Sequence, residues 1–301
     1  MNLILLLALA STCLSQMLLT KEKADELRAL NTTWNVVDPD QSIFKNMTWN
    51  EFASRFKTEW PDNSSLPELG EAVPDGNLRG RRLQGQMSFP ESFDGRKEWG
   101  KCIHQGKDQA KCNGCWAFGV TNHMSDRFCI AGQDVVLSVQ DLLECAEGNK
   151  CCNGGSAENA YKHMMNIGVV AEDCKLFDKK CDQCRPSSCK KYKCYKNSAW
   201  VSNNTMRAKW EIKENGPITG IYDIHADFAY YDGGVYYRTT DDKIGVHSVT
   251  IVGWGKENGI EYWICKNSWG DLWGEEGYFR IKIGDSNINS FMTSCLPFIE
   301  P

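Results

Sequence analysis

Gln109-Ala110-Lys111-Cys112-Asn113-Gly114-Cys115-Trp116-Ala117-Phe118 is the stretch that decides how this chain is read. It closes a loop and opens a segment, Trp116 to Ile130, that lacks interior proline and reads as a helix. A cysteine at such a helix start meets unpaired backbone N–H groups and a dipole that favours negative charge. That position matters chemically, because a thiol with an unperturbed pKa of about 8.5 is mostly protonated near neutral pH and only the thiolate is a strong nucleophile. A cationic partner would help further, and the chain offers His247, 132 residues after Cys115. His247 opens an apolar strand running to Trp254. Asn258-Gly259 is a hairpin signal, and Glu261 to Cys265 reads as the returning strand, with Asn267 just beyond it. Counting back from that turn sets Asn267 opposite Thr250, three residues or roughly 10 Å from His247 along a strand. Simple pairing does not join the two, so a bulge or a longer loop is required. Taken singly, each residue has an ordinary reading: Cys115 as half of a disulfide, His247 and Trp269 as core, Asn267 as a turn former, Gln109 as a loop residue, and Gly154 and Gly155 as turn glycines.

The cysteines add a counting constraint. Leu3 to Ala10 is apolar and is followed by small and polar residues, which reads as a secretory signal peptide over residues 1–16, too short to span a bilayer. Of fifteen cysteines, Cys13 leaves with that segment and fourteen remain between Cys102 and Cys295, dense enough for a disulfide framework in an oxidising compartment. If Cys115 is a free thiol, thirteen are left, and at least one more must be unpaired. With 42% hydrophobic residues the chain can bury a sizeable core. The net charge of −5, without a lysine or arginine run, points to neither nucleic acid nor an anionic membrane as partner.

Texture divides the chain. Residues 17–84 carry no cysteine, charged helix formers from Lys21 to Leu30, and three glycosylation sequons at Asn31, Asn46 and Asn63. A fourth lies at Asn203. Arg79, Arg81 and Arg82 form a basic cluster at the end of this module. Residues 85–194 read as mainly helical, with cysteine-rich loops, and residues 195–301 as mainly strands.

The Gln109–Phe118 segment, His247 and Asn267-Ser268-Trp269-Gly270, in that order, resemble the papain and cathepsin family of cysteine proteases over nearly all of Gly85 to Pro301. The resemblance implies an α+β papain-like fold, a helical half (85–194) and an antiparallel β-barrel-like half (195–301) with the active cleft between them. It implies a pro-segment over 17–84 that blocks the cleft until it is cut near Arg82. Cys115 would be the nucleophile, His247 its base, and Asn267 the residue fixing the imidazole, shielded from water by Trp269. Gln109 would hold the oxyanion together with the Cys115 backbone N–H; loss of one such donor costs about 3 kcal/mol of transition-state stabilisation. Gly154 and Gly155 would pair with substrate backbone. Protein or peptide substrates, no cofactor, a monomer, and a lysosomal, phagosomal or extracellular location go with this picture.

Asn31-Thr32-Thr33-Trp34, Phe89-Pro90-Glu91-Ser92-Phe93-Asp94 and the cysteines from Cys174 to Cys194 resemble the cathepsin B branch. By that likeness Cys102 pairs with Cys129, Cys112 with Cys152, Cys145 with Cys189, Cys174 with Cys194 and Cys181 with Cys184, leaving Cys151, Cys265 and Cys295 beside the nucleophile. A zinc knuckle on Cys181, Cys184, Cys189 and Cys194 is the rival reading. Three departures stand out. Asn113-Gly114 replaces the usual glycine followed by serine or alanine. Only Asp182 and Gln183 separate Cys181 from Cys184, where cathepsin B carries an occluding loop with two histidines, so an endopeptidase without dipeptide trimming is expected. Phe291 falls where cathepsin B has a glutamate, so the pocket for the second residue before the scissile bond should prefer apolar side chains over arginine. The competing class is a catalytically silent, disulfide-rich binding protein on the same fold.

Overall fold

The computed structural model describes residues 17–61, 64–68, 89–185 and 187–300. The expected signal peptide, the Asn63 sequon, the Arg79–Arg82 cluster and the boundary at Gly85 lie outside the described residues. The N-terminal segment folds into α1 (Lys21–Ala29), β1 (Trp34–Val36) and α2 (Trp49–Ala53). Thr20 caps α1 by accepting from the Lys23 N–H, and Thr48 with Glu51 forms a capping box on α2, so helix donors that would otherwise be orphaned are satisfied. The rest follows as β2 (Phe93–Asp94), α3 (Gly95–Glu98), α4 (Cys115–Ile130), α5 (Val139–Cys145), α6 (Ala157–Asn166), β3 (Val169–Val170), β4 (Lys191–Tyr192), β5 (Trp200–Ser202), α7 (Thr205–Asn215), β6 (Ile218–His225), β7 (Tyr231–Tyr236), β8 (Lys243–Glu257), β9 (Ile260–Lys266), β10 (Tyr278–Lys282) and β11 (Phe291–Ser294). Helices thus precede strands as expected, although α7 falls in the sheet half and the small β3–β4 pair in the helical half. No helix among the described residues is long and apolar enough to cross a membrane.

The main sheet runs β1-β7-β10-β9-β8-β6-β11-β5, with β2 attached to β8. It does not close on itself among the described residues, so the barrel-like expectation is corrected to an open sheet. Its outermost strands have only three residues each, too short to pair further, and β10 runs parallel to β7. One edge strand, β1, comes from the N-terminal segment and pairs antiparallel with β7. That segment enters both cores. Leu18, Ala24, Trp34, Phe44, Phe52 and Phe56 pack with Tyr222, Trp263 and Phe279 of the sheet, while Leu66 joins Trp116, Phe118 and Tyr161 on the helical side.

The β8–β9 hairpin turns at Asn258 (φ 50°) and Gly259 (φ 83°), joining Glu257 to Ile260. Positive φ at both positions is the twist-compatible turn that Asn-Gly favours. A bulge between Ile251 and Gly253 then shifts the register by one, so Thr250 faces Lys266 and Asn267 lies past the strand.

Helix α4 is buried from Cys115 to Cys129 and lies against β8. The contact is backbone-close at Gly119, whose carbonyl accepts from the hydroxyls of Thr219 and Thr250, each at 3.2 Å. A Cβ at Gly119 would collide with Ser248.

Six disulfides brace the described residues. Cys102–Cys129 and Cys112–Cys152 are formed as the resemblance implied. The other three implied pairings are corrected: Cys145 bonds Cys184, not Cys189; Cys174 bonds Cys189, not Cys194; and Cys181 bonds Cys151, not Cys184. Cys194 pairs with Cys295. Burial and register explain these changes. Cys194 is buried in the helical core together with Cys295, whereas Cys174 is half-exposed. Pairing of Val170 with Lys191 brings the chain after β3 beside the chain before β4, and so Cys174 to Cys189. The 181–184 stretch, exposed throughout, lies across the helical half and spends its two cysteines on anchors at the end of α5 and at Cys151. These four bridges also place every cysteine of the rival zinc knuckle in a separate pair. Cys115 and Cys265 remain free thiols, as the odd remainder required, and both are buried.

Gly119→Ala should force α4 off β8. Overpacking of this kind costs about 1–3 kcal/mol. Thermal unfolding should record a fall in Tm of several degrees; an unchanged Tm would mean that Ser248 yields and the close approach is not required.

Candidate active site

Cys115 is the first residue of α4. Its N-cap is Gly114, which offers no side chain to the free N–H groups. A Cβ at 114 would meet Leu143 Cδ2 at 2.8 Å and Cys112 Sγ at 3.0 Å, which accounts for the glycine. The thiol touches the Thr58 hydroxyl at 2.9 Å, and the nearby backbone of Ser248 in β8, of Lys57 in the N-terminal segment and of Trp116 acts on it in the direction that favours the thiolate. Since Ser248 follows His247, the sheet brings the imidazole to the helix start.

His247 is paired with Tyr222 across β6 and β8. Its Nε2 lies 2.8 Å from Asn267 Oδ1, which also accepts the Ser268 N–H at 2.8 Å. That second donor identifies the Asn267 atom as oxygen, so the imidazole must carry its proton on Nε2. Nδ1 is left as the basic nitrogen, buried and without a hydrogen-bond partner among the described residues. Trp269 stacks on the ring with centroids 5.3 Å apart, and Phe56 and Tyr222 meet it edge-on, so the Nε2 bond is dry. The bulge in β8 and the Asn267 N–H bond to Gly277 O at 2.9 Å set where Asn267 leaves its strand.

Gln109 is held twice by Ser268, whose hydroxyl donates to Gln109 Oε1 at 2.6 Å and whose carbonyl accepts the Gln109 N–H at 2.9 Å. The amide nitrogen is thereby turned inward, donating to Cys112 O at 2.8 Å and to Arg55 O at 3.1 Å. Ser268 is the residue that the sequence reading passed over. It stood inside the quoted Asn-Ser-Trp-Gly run, but nothing local marked it as the support of a glutamine 159 residues away.

Residues 55–59 lie in the cleft and are stitched to both walls. Thr58 N–H donates to Val246 O at 3.2 Å on the sheet side; on the helical side Glu59 N–H donates to Gly155 O at 2.9 Å and Gly155 N–H to Lys57 O at 3.1 Å. Gly154, at φ 110°, would bring any Cβ against Lys57, so this glycine is needed for the close approach. Phe291 is cross-strand partner of Ile221 and faces the helical core, against which Trp60 and Val246 also pack.

Burial sets the electrostatics. It is the largest cause raising the Cys115 pKa above the ordinary thiol value, against opposing hydrogen bonds led by that of Thr58. It also lowers that of His247 to about 4, assisted by the charge of Arg55 and opposed by the Asn267 bond. With the segment in place the pair is therefore thiol and neutral imidazole. Burial raises the Cys265 pKa well above the ordinary value too, which leaves that thiol inert. Among the described residues two groups bring three possible metal donors together, Cys151/Cys152/Cys181 and His104/Cys129/Asp134, but every cysteine in them is spent in a disulfide.

Comparison with known proteins agrees with this geometry. The papain family cysteine protease model matches residues 89–296. Cathepsin B-like CP2 of Giardia intestinalis is 32% identical over 294 residues, covering 93% of this chain and 94% of that protein. Cathepsin B-like cysteine proteinase 3 of Caenorhabditis elegans is 32% identical over 303 residues, covering 88% and 78%. Among solved structures, proCathepsin B S9 from Trypanosoma congolense superposes with a TM-score of 0.82 at 27% identity, covering 94% of this chain and all of that one. Digestive procathepsin L2 proteinase from Tenebrio molitor larval midgut shares the fold, with a TM-score of 0.78 at 24% identity over 93% of this chain and 88% of that one. The chain belongs to the papain family of cysteine proteases, and its relatives include cathepsin B-like enzymes.

Proposed function

We propose that the chain is the zymogen of a cysteine endopeptidase, with residues 17–84 as pro-segment and Cys115, His247 and Asn267 as the catalytic site. The observation that carries this is the pairing of residues 57–59 with both walls directly over Cys115. A cleft that binds extended backbone through Val246 and Gly155 is built for peptides. Once the pro-segment is cut near Arg82 and leaves, water re-enters and the pair becomes thiolate and imidazolium. The thiolate attacks the peptide carbonyl, the Gln109 amide and the Cys115 N–H receive the oxyanion, and His247 Nδ1 passes its proton to the leaving amine. Water activated by His247 then hydrolyses the thioester. The pro-segment survives in the closed form because the carbonyl held by Gln109 is that of Arg55, while the group on the sulfur is the Thr58 hydroxyl.

The short Cys181–Cys184 stretch, anchored to Cys151 and Cys145, supplies no histidine to the cleft, which supports endopeptidase action without release of C-terminal dipeptides. Phe291 with Ile221 supports an apolar preference at the second residue before the scissile bond. Six disulfides support a secretory route to a lysosome, a phagosome or the outside.

An epoxide inhibitor of papain-like enzymes should label Cys115 of the processed protein near-stoichiometrically, and His247→Ala should abolish labelling by mass spectrometry; an unlabelled Cys115 would favour the silent binding protein. Efficient release of C-terminal dipeptides from peptide substrates would overturn the endopeptidase reading. The pH dependence follows from His247. Its pKa is about 4 in the closed form and, in Cys115→Ala with no thiolate beside the ring, nearer the ordinary 6.5 when the cleft is open. In Cys115→Ala, where no thiol can supply it, the open form takes that proton from solvent, and the closed form loses stability as pH falls from about 6.5 to 4, by at most about tenfold per unit. Hydrogen exchange at the Thr58 and Glu59 amides of full-length Cys115→Ala should accelerate over that window after correction for intrinsic rates; a flat profile would contradict it.

A further inference from the structure

Asp223 is a buried carboxylate whose partners come from two parts of the chain. It lies on β6 two residues from Ile221 and on the same strand face, and Ile221 is the cross-strand partner of Phe291. Oδ2 accepts from Asn287 Nδ2 at 2.7 Å. Oδ1 takes Lys243 Nζ at 2.7 Å and, at 3.0 Å, the indole N–H of Trp60. Trp60 belongs to the pro-segment and stands two residues after Thr58, which touches the Cys115 thiol. Its ring packs on the helical core that includes Ile221, Phe291 and Leu66. The pro-segment thus fills an apolar pocket beside the nucleophile with an aromatic ring whose donor reaches a carboxylate.

When the pro-segment leaves, Asn287 still holds Oδ2 and Lys243 still neutralises Oδ1. One acceptor position opens at the end of an apolar pocket. Charge decides what fits it. A second cation gains little from a carboxylate already paired with Lys243 and must shed its own water to enter. A purely apolar side chain leaves the acceptor dry and unmet. A ring carrying a neutral N–H or O–H satisfies both requirements, as Trp60 does. Burial would raise the Asp223 pKa, yet its bonds from Lys243, Trp60 and Asn287 hold it below the ordinary value, so it is ionised and ready to accept.

We infer that Asp223 is a specificity-determining residue and that this pocket takes a tryptophan or tyrosine of the substrate, ring against Ile221 and Phe291 and donor on Asp223 Oδ1. The inference rests on the protease reading above and narrows its apolar preference. The test is a matched peptide series, varied only at the second residue before the scissile bond, with tryptophan, 1-methyltryptophan, tyrosine, phenylalanine, leucine and arginine, turned over by the processed enzyme. In kcat/KM, tryptophan should exceed 1-methyltryptophan and tyrosine should exceed phenylalanine, each by roughly tenfold, the worth of one hydrogen bond to a charged acceptor. Both ratios should fall towards one in Asp223→Ala. Equal turnover within each pair by the unaltered enzyme overturns the assignment even if the variant fails to fold, and leaves the protease reading standing. A processed protein that cleaves none of the peptides overturns that reading, and the assignment with it.

Discussion

The seating of α4 on β8 is the constraint from which the candidate active site is built. A buried helix begins at Cys115, and the absence of a side chain at Gly119 lets it approach until Ser248 and the thiol meet. The helix N-terminus and the histidine strand then come together without any loop having to place them. The hydroxyls of Thr219 and Thr250 fix the approach by sharing one carbonyl. Everything else at the site orients what this contact brings together: Asn267 selects the imidazole tautomer, Trp269 dries the bond, and Ser268 turns Gln109 inward.

The pro-segment works on this arrangement through solvent. It gives an edge strand to the sheet, an aromatic cluster against Trp269, and backbone bonds to both cleft walls. By excluding water it disfavours both charged forms of the pair. His247 takes its proton from the Cys115 thiol on opening, so that step draws none from solvent. Two other contacts weaken with acid. Glu158, which holds Ser65, and Asp223, which holds Trp60, are both kept below their ordinary pKa despite burial, so each loses its contact only when protonated, below the ordinary carboxylate range.

Local patterns made much of this legible. The helix at Trp116, the order of helices before strands, the Asn258-Gly259 turn and the need for a bulge before Asn267 all follow from short-range rules. What stayed hidden was long-range. Disulfide partners depend on which loop crosses which helix, and three of five implied pairs were wrong for that reason. The open sheet with a borrowed edge strand could not be read from β1, a three-residue strand. Ser268 and Asp223 owe their importance to partners 159 and 163 residues away, and nothing in their own neighbourhood signals it.

The protonation of His247 should be followed by NMR of its imidazole nitrogens, in the full-length chain and after removal of the pro-segment. The account requires a neutral ring with its proton on Nε2 down to about pH 4 in the full-length chain, and a charged ring through pH 5–6 once the cleft is open. A ring that titrates at the same pH in both forms would show that exclusion of water does not keep the enzyme silent.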